Sequence, residues 1–381
     1  MTDRPGITES GRTRPGDIGM PVDALLTPCL IVDLDVLERN IAYLARHAAE
    51  RGVRLRPHAK THKSPDIAML QMAHGAVGVC CQKVSEAEAM VRGGVNNVLV
   101  SNQVVQPRMI DRLAALAREA RVGVCVDDAG NVDALSAAAS RAGSEIDVLV
   151  EIDVGAGRCG VQPGAQAVHL AQRVAGAPGL RFAGIQAYQG SAQHVREYAR
   201  RKALIDAAIR ETERTVQQLN EAGLAPGVIT GSGTGTYDLE GAHTVFNELQ
   251  CGSYVFMDAD YQRIETEDHR PFDAFDNSLF LYTTVMSKTR AGRAVCDAGL
   301  KAHSVDSGLP AVHALPGVRY IQASDEHGVL EDPDDVLRLG DQLRLIPGHC
   351  DPTVNLHDWL VGIRNGHVEC LWPVAARGAV F

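Results

Sequence analysis

The chain has 381 residues, 45% of them apolar and 22% charged, the proportions of a folded globular protein with room for a large domain and a smaller one. A formal net charge of -10 and an aromatic content of 4% exclude a general nucleic-acid binder, which needs clustered cations and stacking surfaces. No apolar run approaches the roughly 20 residues that span a bilayer, so no membrane partner is expected.

Residues 1–27 are polar, with Gly and Pro scattered through them, and lack the apolar core of a signal peptide. They read as a lead-in that can join a later β domain. Residues 28–268 alternate short apolar runs with helical patterns. The runs are CLIVDL (29–34), VRLRPH (53–58), VGVCC (77–81), NVLVS (97–101), RVGVCVD (121–127), DVLVEID (147–153), RFAGIQAY (181–188) and GVITGSG (227–233). They are continuous and β-branched, as in a parallel sheet covered on both faces. Between them, residues 34–52 carry apolar residues at helical spacing and end in Gly52. Ser85 stands as a helix N-cap with Glu88 three residues on. Residues 196–223 form a long charged amphipathic stretch. Eight strands, each followed by a helix or loop, predict a (β/α)8 barrel, with a doubly wound open sheet as the alternative. Residues 269–381 change character. Short strands broken by Gly, Pro and Asp replace the helices, which predicts a second, all-β domain. Nine cysteines with no C-x-x-C pair, most of them in apolar runs, read as buried reduced thiols of a cytoplasmic protein.

Catalytic residues of barrels lie at the C-terminal ends of strands. The second run ends in RPHAKTHK (56–63), where five of eight side chains are of basic type. Positive neighbours lower the pKa of a lysine and free its amine for Schiff-base chemistry, which singles out Lys60. The segment Gly155–Gly160 matches G-x-G-x-x-G, but Pro163 and Gly164 interrupt the helix that a dinucleotide site needs. Arg158, on that turn, reads instead as an anion or cofactor contact. Residues 230–236, TGSGTGT, place small residues and hydroxyls after a late strand, a cradle for phosphate. The cradle lacks the lysine of a nucleotide-hydrolysing loop, and Gly252, Ser253 and Tyr254 can complete it. His349 and Asp351, at i and i+2, point to one side if the segment is extended and suit a divalent cation with open positions. His357 and Asp358 are a second, weaker pair. A reactive lysine, a phosphate cradle and a β domain behind them together suggest pyridoxal phosphate.

On these residues the chain resembles the D-threonine aldolase and 3-hydroxy-D-aspartate aldolase group of the alanine-racemase-like pyridoxal phosphate enzymes. The likeness runs from TPCLIVDLDVLERN near residue 27 to WPVAARG near residue 378. RPHAKTHK, GVCCQKVSEAE, VEIDVGAGRCGV, GIQAYQG, GSGTGT, NELQCGSYVFMDADY, DAGLK, DEHGV and PGHCDPTVNLHD carry it. GLKAHSVDSGLP and GHCDPTVNLHDW look closest to the 3-hydroxy-D-aspartate branch. One departure is Ser232, where glycine is more usual in the aldolases.

The resemblance implies that Lys60 holds the cofactor as a Schiff base. Gln82, Arg158 and Tyr188 match positions around its ring, and Thr234, Gly235, Gly252, Ser253 and Tyr261 match cofactor or phosphate contacts. His349 and Asp351 match ligands of a divalent metal, Mg or Mn. The expected reaction is retro-aldol cleavage of a D-3-hydroxy amino acid, D-3-hydroxyaspartate giving glycine and glyoxylate. His62, and after it His58, is the expected base for the β-hydroxyl proton. Lys301, His303 and Ser304 are expected beside the substrate's distal carboxylate. The fold class implies a homodimer. A D-threonine aldolase, a dehydratase of the same substrates, a racemase without metal and a non-catalytic cofactor carrier are the alternatives.

Overall fold

The computed structural model describes residues 13–381. The apolar runs of the first two thirds form strands buried on both faces, as in Arg121–Val126 and Ile146–Glu151. Seven of them, with Glu248–Leu249, make one parallel sheet of eight strands. Its order is Arg54–Leu55, Glu248–Leu249, Val228–Gly231, Leu180–Gln186, Ile146–Glu151, Arg121–Val126, Asn97–Gln103, Val79–Cys81. The two ends of the sheet meet. His58 bridges Cys80, Cys80 N donates to Pro57 O at 2.8 Å and Ala59 N donates to Cys80 O at 2.8 Å, so the sheet closes into a barrel. Cys80, Leu99, Cys125 and Leu149 pack together in a small cluster apart from the main core. Arg56 pairs with Glu248 at 2.9 Å beside them.

Two expectations about strands are corrected. The run Cys29–Asp33 is not in the barrel; it lies in the second sheet, antiparallel to Leu279–Arg290 and parallel to Trp359–Arg364. A strand buried in any covered sheet gives the same apolar run, so composition could not assign it. The barrel instead begins at Arg54–Leu55 and takes as its last strand Glu248–Leu249, two residues that carry no strand signature.

The helix Leu34–Arg51 follows its sequence signals closely. Asp33 caps it through a bond from Val36 N at 3.1 Å, and Gly52 ends it with φ 64°. Its buried Leu37, Ile41, Leu44 and Ala48 face the second sheet and the aromatic cluster of Tyr237, Tyr254, Phe272 and Phe275. The helix after Cys81 starts two residues earlier than expected. Lys83 is its N-cap, and Glu86, not Glu88, reaches back to Gln82 N at 2.5 Å. Ser85 lies inside the first turn and bonds the carbonyl of Phe381.

The second sheet runs Arg319–Ala323, Gly328–Glu331, Arg293–Cys296, Leu279–Arg290, Cys29–Asp33, Trp359–Arg364, His367–Pro373, with Gln342–Ile346 also on Leu279–Arg290. Of the described lead-in residues, Pro21 bridges His367 of this sheet, and Gly19 N donates to Val368 O at 2.8 Å. No helix among the described residues is long and apolar enough to cross a membrane.

Candidate active site

A cavity of about 240 Å³ opens at the C-terminal ends of the barrel strands. His58, Lys60, Gln82, Arg158, Tyr188, Thr234, Gly252, Ser253 and Tyr261 all border it, so most of the residues named from sequence meet in one place. The turn that carries Lys60 is fixed by the barrel seam on one side and by Lys63 N donating to Ala59 O at 2.7 Å on the other. Lys60 Nζ points across the cavity and donates to Asp351 Oδ2 at 2.5 Å.

That contact overturns the expected electrostatics of the lysine. Burial alone would lower its pKa, but the Asp351 carboxylate outweighs burial and holds it above the ordinary value. The basic neighbours do not act as cations. Burial brings His58 to about 3 and His62 to about 4, so both rings are neutral near pH 7. Arg56 is matched by Glu248, and Lys63 turns away to Glu86 at 3.3 Å. Burial would raise the pKa of Asp351; the Lys60 and His349 charges press it well below the usual carboxylate range.

The two histidines differ in place. His62 does not border the cavity; it is fully buried, and its Nδ1 accepts from Ser64 N at 3.1 Å. His58 does border it, but both ring nitrogens are engaged. Nε2 lies 3.1 Å from Gln82 Oε1 and 3.2 Å from Ser101 Oγ, and Nδ1 accepts from Lys60 N at 3.4 Å. Neither ring therefore turns an open nitrogen to the cavity.

The far end is a polar cradle. Thr234 Oγ1 accepts from Tyr254 N at 3.0 Å, which ties the two small-residue loops together. A Cβ on Gly252 would meet Thr61 Oγ1 at 2.7 Å, and one on Gly235 would meet Gln193 O at 2.5 Å. Gly235 lies behind the lining, its N–H already donated to Gln193 Oε1 at 3.1 Å. Ser232, in place of the usual glycine, takes φ 71°. Arg158 stacks 5.4 Å over the Tyr188 ring at the side wall. The G-x-G-x-x-G turn is closed by its own Asp153, whose Oδ1 accepts from Gly155 N and Gly157 N at 2.9 and 3.0 Å.

His349 and Asp351 are not on one extended strand as expected. His349 is the last extended residue, and Asp351 lies in the first turn of the helix Cys350–Val354. That turn swings its carboxylate into the barrel mouth. Asp351 Oδ1 is buried and makes no hydrogen bond among the described residues. The weaker pair is structural: His357 Nε2 donates to Ala302 O at 2.7 Å, and Asp358 pairs with Arg377 at 2.6 Å. The expected carboxylate partners turn elsewhere. Lys301 is exposed and paired with Glu326 at 2.5 Å, His303 is buried against Tyr320 Oη at 3.0 Å, and Ser304 Oγ donates to Asp306.

Sequence reasoning missed Gln186 and Gln250, whose buried amides bond each other at 2.9 and 2.7 Å in the cavity wall. A glutamine inside the apolar run RFAGIQAY was the available signal. It also missed His194, held by Asp260 at 2.5 Å behind Tyr261, and Asp306, held to His349 at 2.7 Å. Their partners are too distant in sequence to form a motif.

A family model for the alanine racemase N-terminal domain matches residues 32–260, and one for a serine dehydratase domain matches residues 278–363. The 3-hydroxy-D-aspartate aldolase of Paracoccus denitrificans strain Pd 1222 is 54% identical over 374 residues, covering 97% of this chain and 97% of that protein. The chain belongs to the alanine-racemase-like family, in its group of 3-hydroxy-D-aspartate and D-threonine aldolases. A D-threonine aldolase of an Arthrobacter species is 46% identical, covering 98% of this chain and 97% of its own. The crystal structure of D-threonine aldolase from Filomicrobium marinum matches with a TM-score of 0.94 at 50% identity, over 97% of this chain and 100% of that one.

The cofactor of alanine-racemase-like enzymes is pyridoxal phosphate, and the cavity fits it. A lysine amine stands on its wall, and the small residues Ser232, Gly233, Thr234, Gly252 and Ser253 line it without a carboxylate among its described lining residues. A divalent cation also fits. The orphaned Asp351 Oδ1 offers a buried charged oxygen, and His349 stands two residues before it. No group of three or more such ligands occurs among the described residues, so most coordination positions would stay open for water and substrate.

Proposed function

We propose that the chain is a pyridoxal phosphate- and divalent metal-dependent aldolase. It cleaves D-3-hydroxyaspartate to glycine and glyoxylate, and D-threonine more slowly. The observation that carries this reading is the reach of Asp351, from the second domain, to Lys60 Nζ in the barrel at 2.5 Å. It brings an amine and a metal-binding carboxylate to the same point, where a substrate's amino group and β-hydroxyl must both be gripped. When bound, pyridoxal phosphate supplies the electron sink for the pair left on Cα when the Cα–Cβ bond breaks.

The chain's own residues divide the remaining work. Ser253, Thr234, Gly233 and Gly252 would hold the phosphate, and Tyr188 and Arg158 would wall the ring. His349 and Asp351 would hold a divalent cation, Mg or Mn in this reading, and its chemistry there would be Lewis-acid polarisation of the β-hydroxyl. With His62 outside the cavity and both ring nitrogens of His58 engaged, Lys60 Nζ is the group that can move the hydroxyl proton. His58 keeps the turn of Lys60 in place through its bond from Lys60 N.

Product analysis with stereoisomers of 3-hydroxyaspartate, threonine and serine tests the reading. Glycine plus aldehyde from the D-isomers is expected, with D-3-hydroxyaspartate preferred by kcat/KM about tenfold, or ~1.4 kcal/mol. Ammonia plus a keto acid would make the chain a dehydratase. All nine cysteines are free thiols, seven of them buried, which supports a reducing, cytoplasmic location. The reading includes a homodimer, supported by exposed Leu300, Val305 and Leu309 on the loop beside His349.

A further inference from the structure

The imidazole of His349 does not stand alone at the cavity rim. Its Nδ1 lies 2.7 Å from Asp306 Oδ2, with the His349 side chain 24% exposed. A carboxylate at that distance accepts a proton from Nδ1, which leaves the lone pair on Nε2. Nε2 makes no hydrogen bond to the protein among the described residues.

Asp306 is itself held in place. Ser304 Oγ donates to Oδ1 at 2.7 Å and Ser307 Oγ to Oδ2 at 3.2 Å. The loop is then fastened to the segment that carries His349. Ser304 N donates to Thr353 Oγ1 at 3.2 Å, and Thr353 Oγ1 donates to His349 O at 2.8 Å. A Cβ on Gly348 would overlap the carbonyl of Gly308, so the two loops touch backbone to backbone. Arg263 Nη2 anchors the far end on Ser307 O at 2.8 Å. This much fastening around one exposed acid is hard to explain by stability, since a half-exposed ion pair contributes little.

We propose that Asp306 is the positioning residue of the metal centre: it fixes the tautomer and angle of His349 so that Nε2 faces the cation shared with Asp351. The inference rests on the reading of His349 and Asp351 as metal ligands. A ring nitrogen whose opposite N–H is bonded to a carboxylate is a stronger and better-aimed donor. The segment KAHSVDSG thus serves the metal through Asp306, not the substrate through Lys301 or His303.

The test is Mn²⁺ affinity of the cofactor-loaded enzyme after chelation, read from the electron paramagnetic resonance signal of free Mn²⁺. Asp306→Ala should weaken binding about 10–100-fold. Asp306→Asn, which keeps an acceptor without the charge, should fall between alanine and wild type, and Asp306→Glu should recover part of the loss. Lys301→Ala is the surface control and should bind as wild type. The cofactor absorbance should be unchanged throughout, which reports an intact barrel. Asp306→Ala within twofold of wild type overturns the inference. So does a loss as complete as that of Asp351→Ala, because Asp306 would then be a ligand. Wild type that binds no Mn²⁺ overturns the metal reading first, and this inference with it.

Discussion

A methyl group at position 252 would lie 2.7 Å from Thr61 Oγ1 and 3.2 Å from His58 Cβ. It would therefore push on the turn that carries Lys60 while narrowing the cradle. Gly252→Ala is expected to weaken pyridoxal phosphate binding about tenfold or more, ~1.4 kcal/mol, in an absorbance titration of the apoenzyme. Unchanged affinity would remove Gly252 from the cradle. His62 gives a different kind of expectation. Its native pKa of about 4 lies below the ordinary 6.5 because burial disfavours the charged ring. Between those values the unfolded chain binds more protons than the native one, so stability rises with pH. The contribution is fully present above about 6.5 and is lost as pH falls toward 4. It amounts to about 3 kcal/mol for a fully buried ring. Glu240 slopes the other way, because burial raises its carboxyl to about 8 and its contribution fades as pH rises from 4.5. The wild-type curve mixes these two with other buried groups, His58 and His47 among them. Denaturant unfolding of the apoenzyme at several pH values should show the acid limb flattened in His62→Gln, and an unchanged limb would assign it elsewhere.

Elements were legible where one physical cause dominated. The helix Leu34–Arg51 was readable because periodicity and a terminal glycine agree. The interior barrel strands were readable because burial on both faces demands unbroken apolar runs. Glu248–Leu249 was not, since its two residues are strand by pairing alone, with Arg54–Leu55 on one side and Val228–Gly231 on the other. The site shows the same division. Lys60, Arg158 and the small-residue loops sit in local motifs, so the residues that line the cavity were largely named from sequence. What those residues do to one another was not. The charge state of Lys60 depends on Asp351, 291 positions away, and the open nitrogen of His349 depends on Asp306, 43 positions away. Spacing along the chain carries no trace of either contact. His62 misled for the same reason, because nothing local tells that its ring faces the interior.

At the scale of the molecule, the candidate centre belongs to both sheets, and its metal side lies at the rim. Val305 and Leu309, flanking Asp306, are 36% and 40% exposed, an arrangement that a two-fold partner would cover. Light scattering at assay concentration should give a dimer, and a fully active monomer would refute it. The placement of Cys29–Asp33 has a separate consequence, for synthesis on the ribosome. This strand precedes both its neighbours, Leu279–Arg290 and Trp359–Arg364, by about 250 to 330 residues. At roughly 5–20 residues per second, a buried-type apolar strand waits on the order of 15–60 s for its second neighbour. The barrel can close meanwhile, since its strands span Arg54 to Leu249. Until Trp359–Arg364 is made, a chain with its barrel closed would still carry Cys29–Asp33 unpaired on that side, an apolar strand for a chaperone to shield.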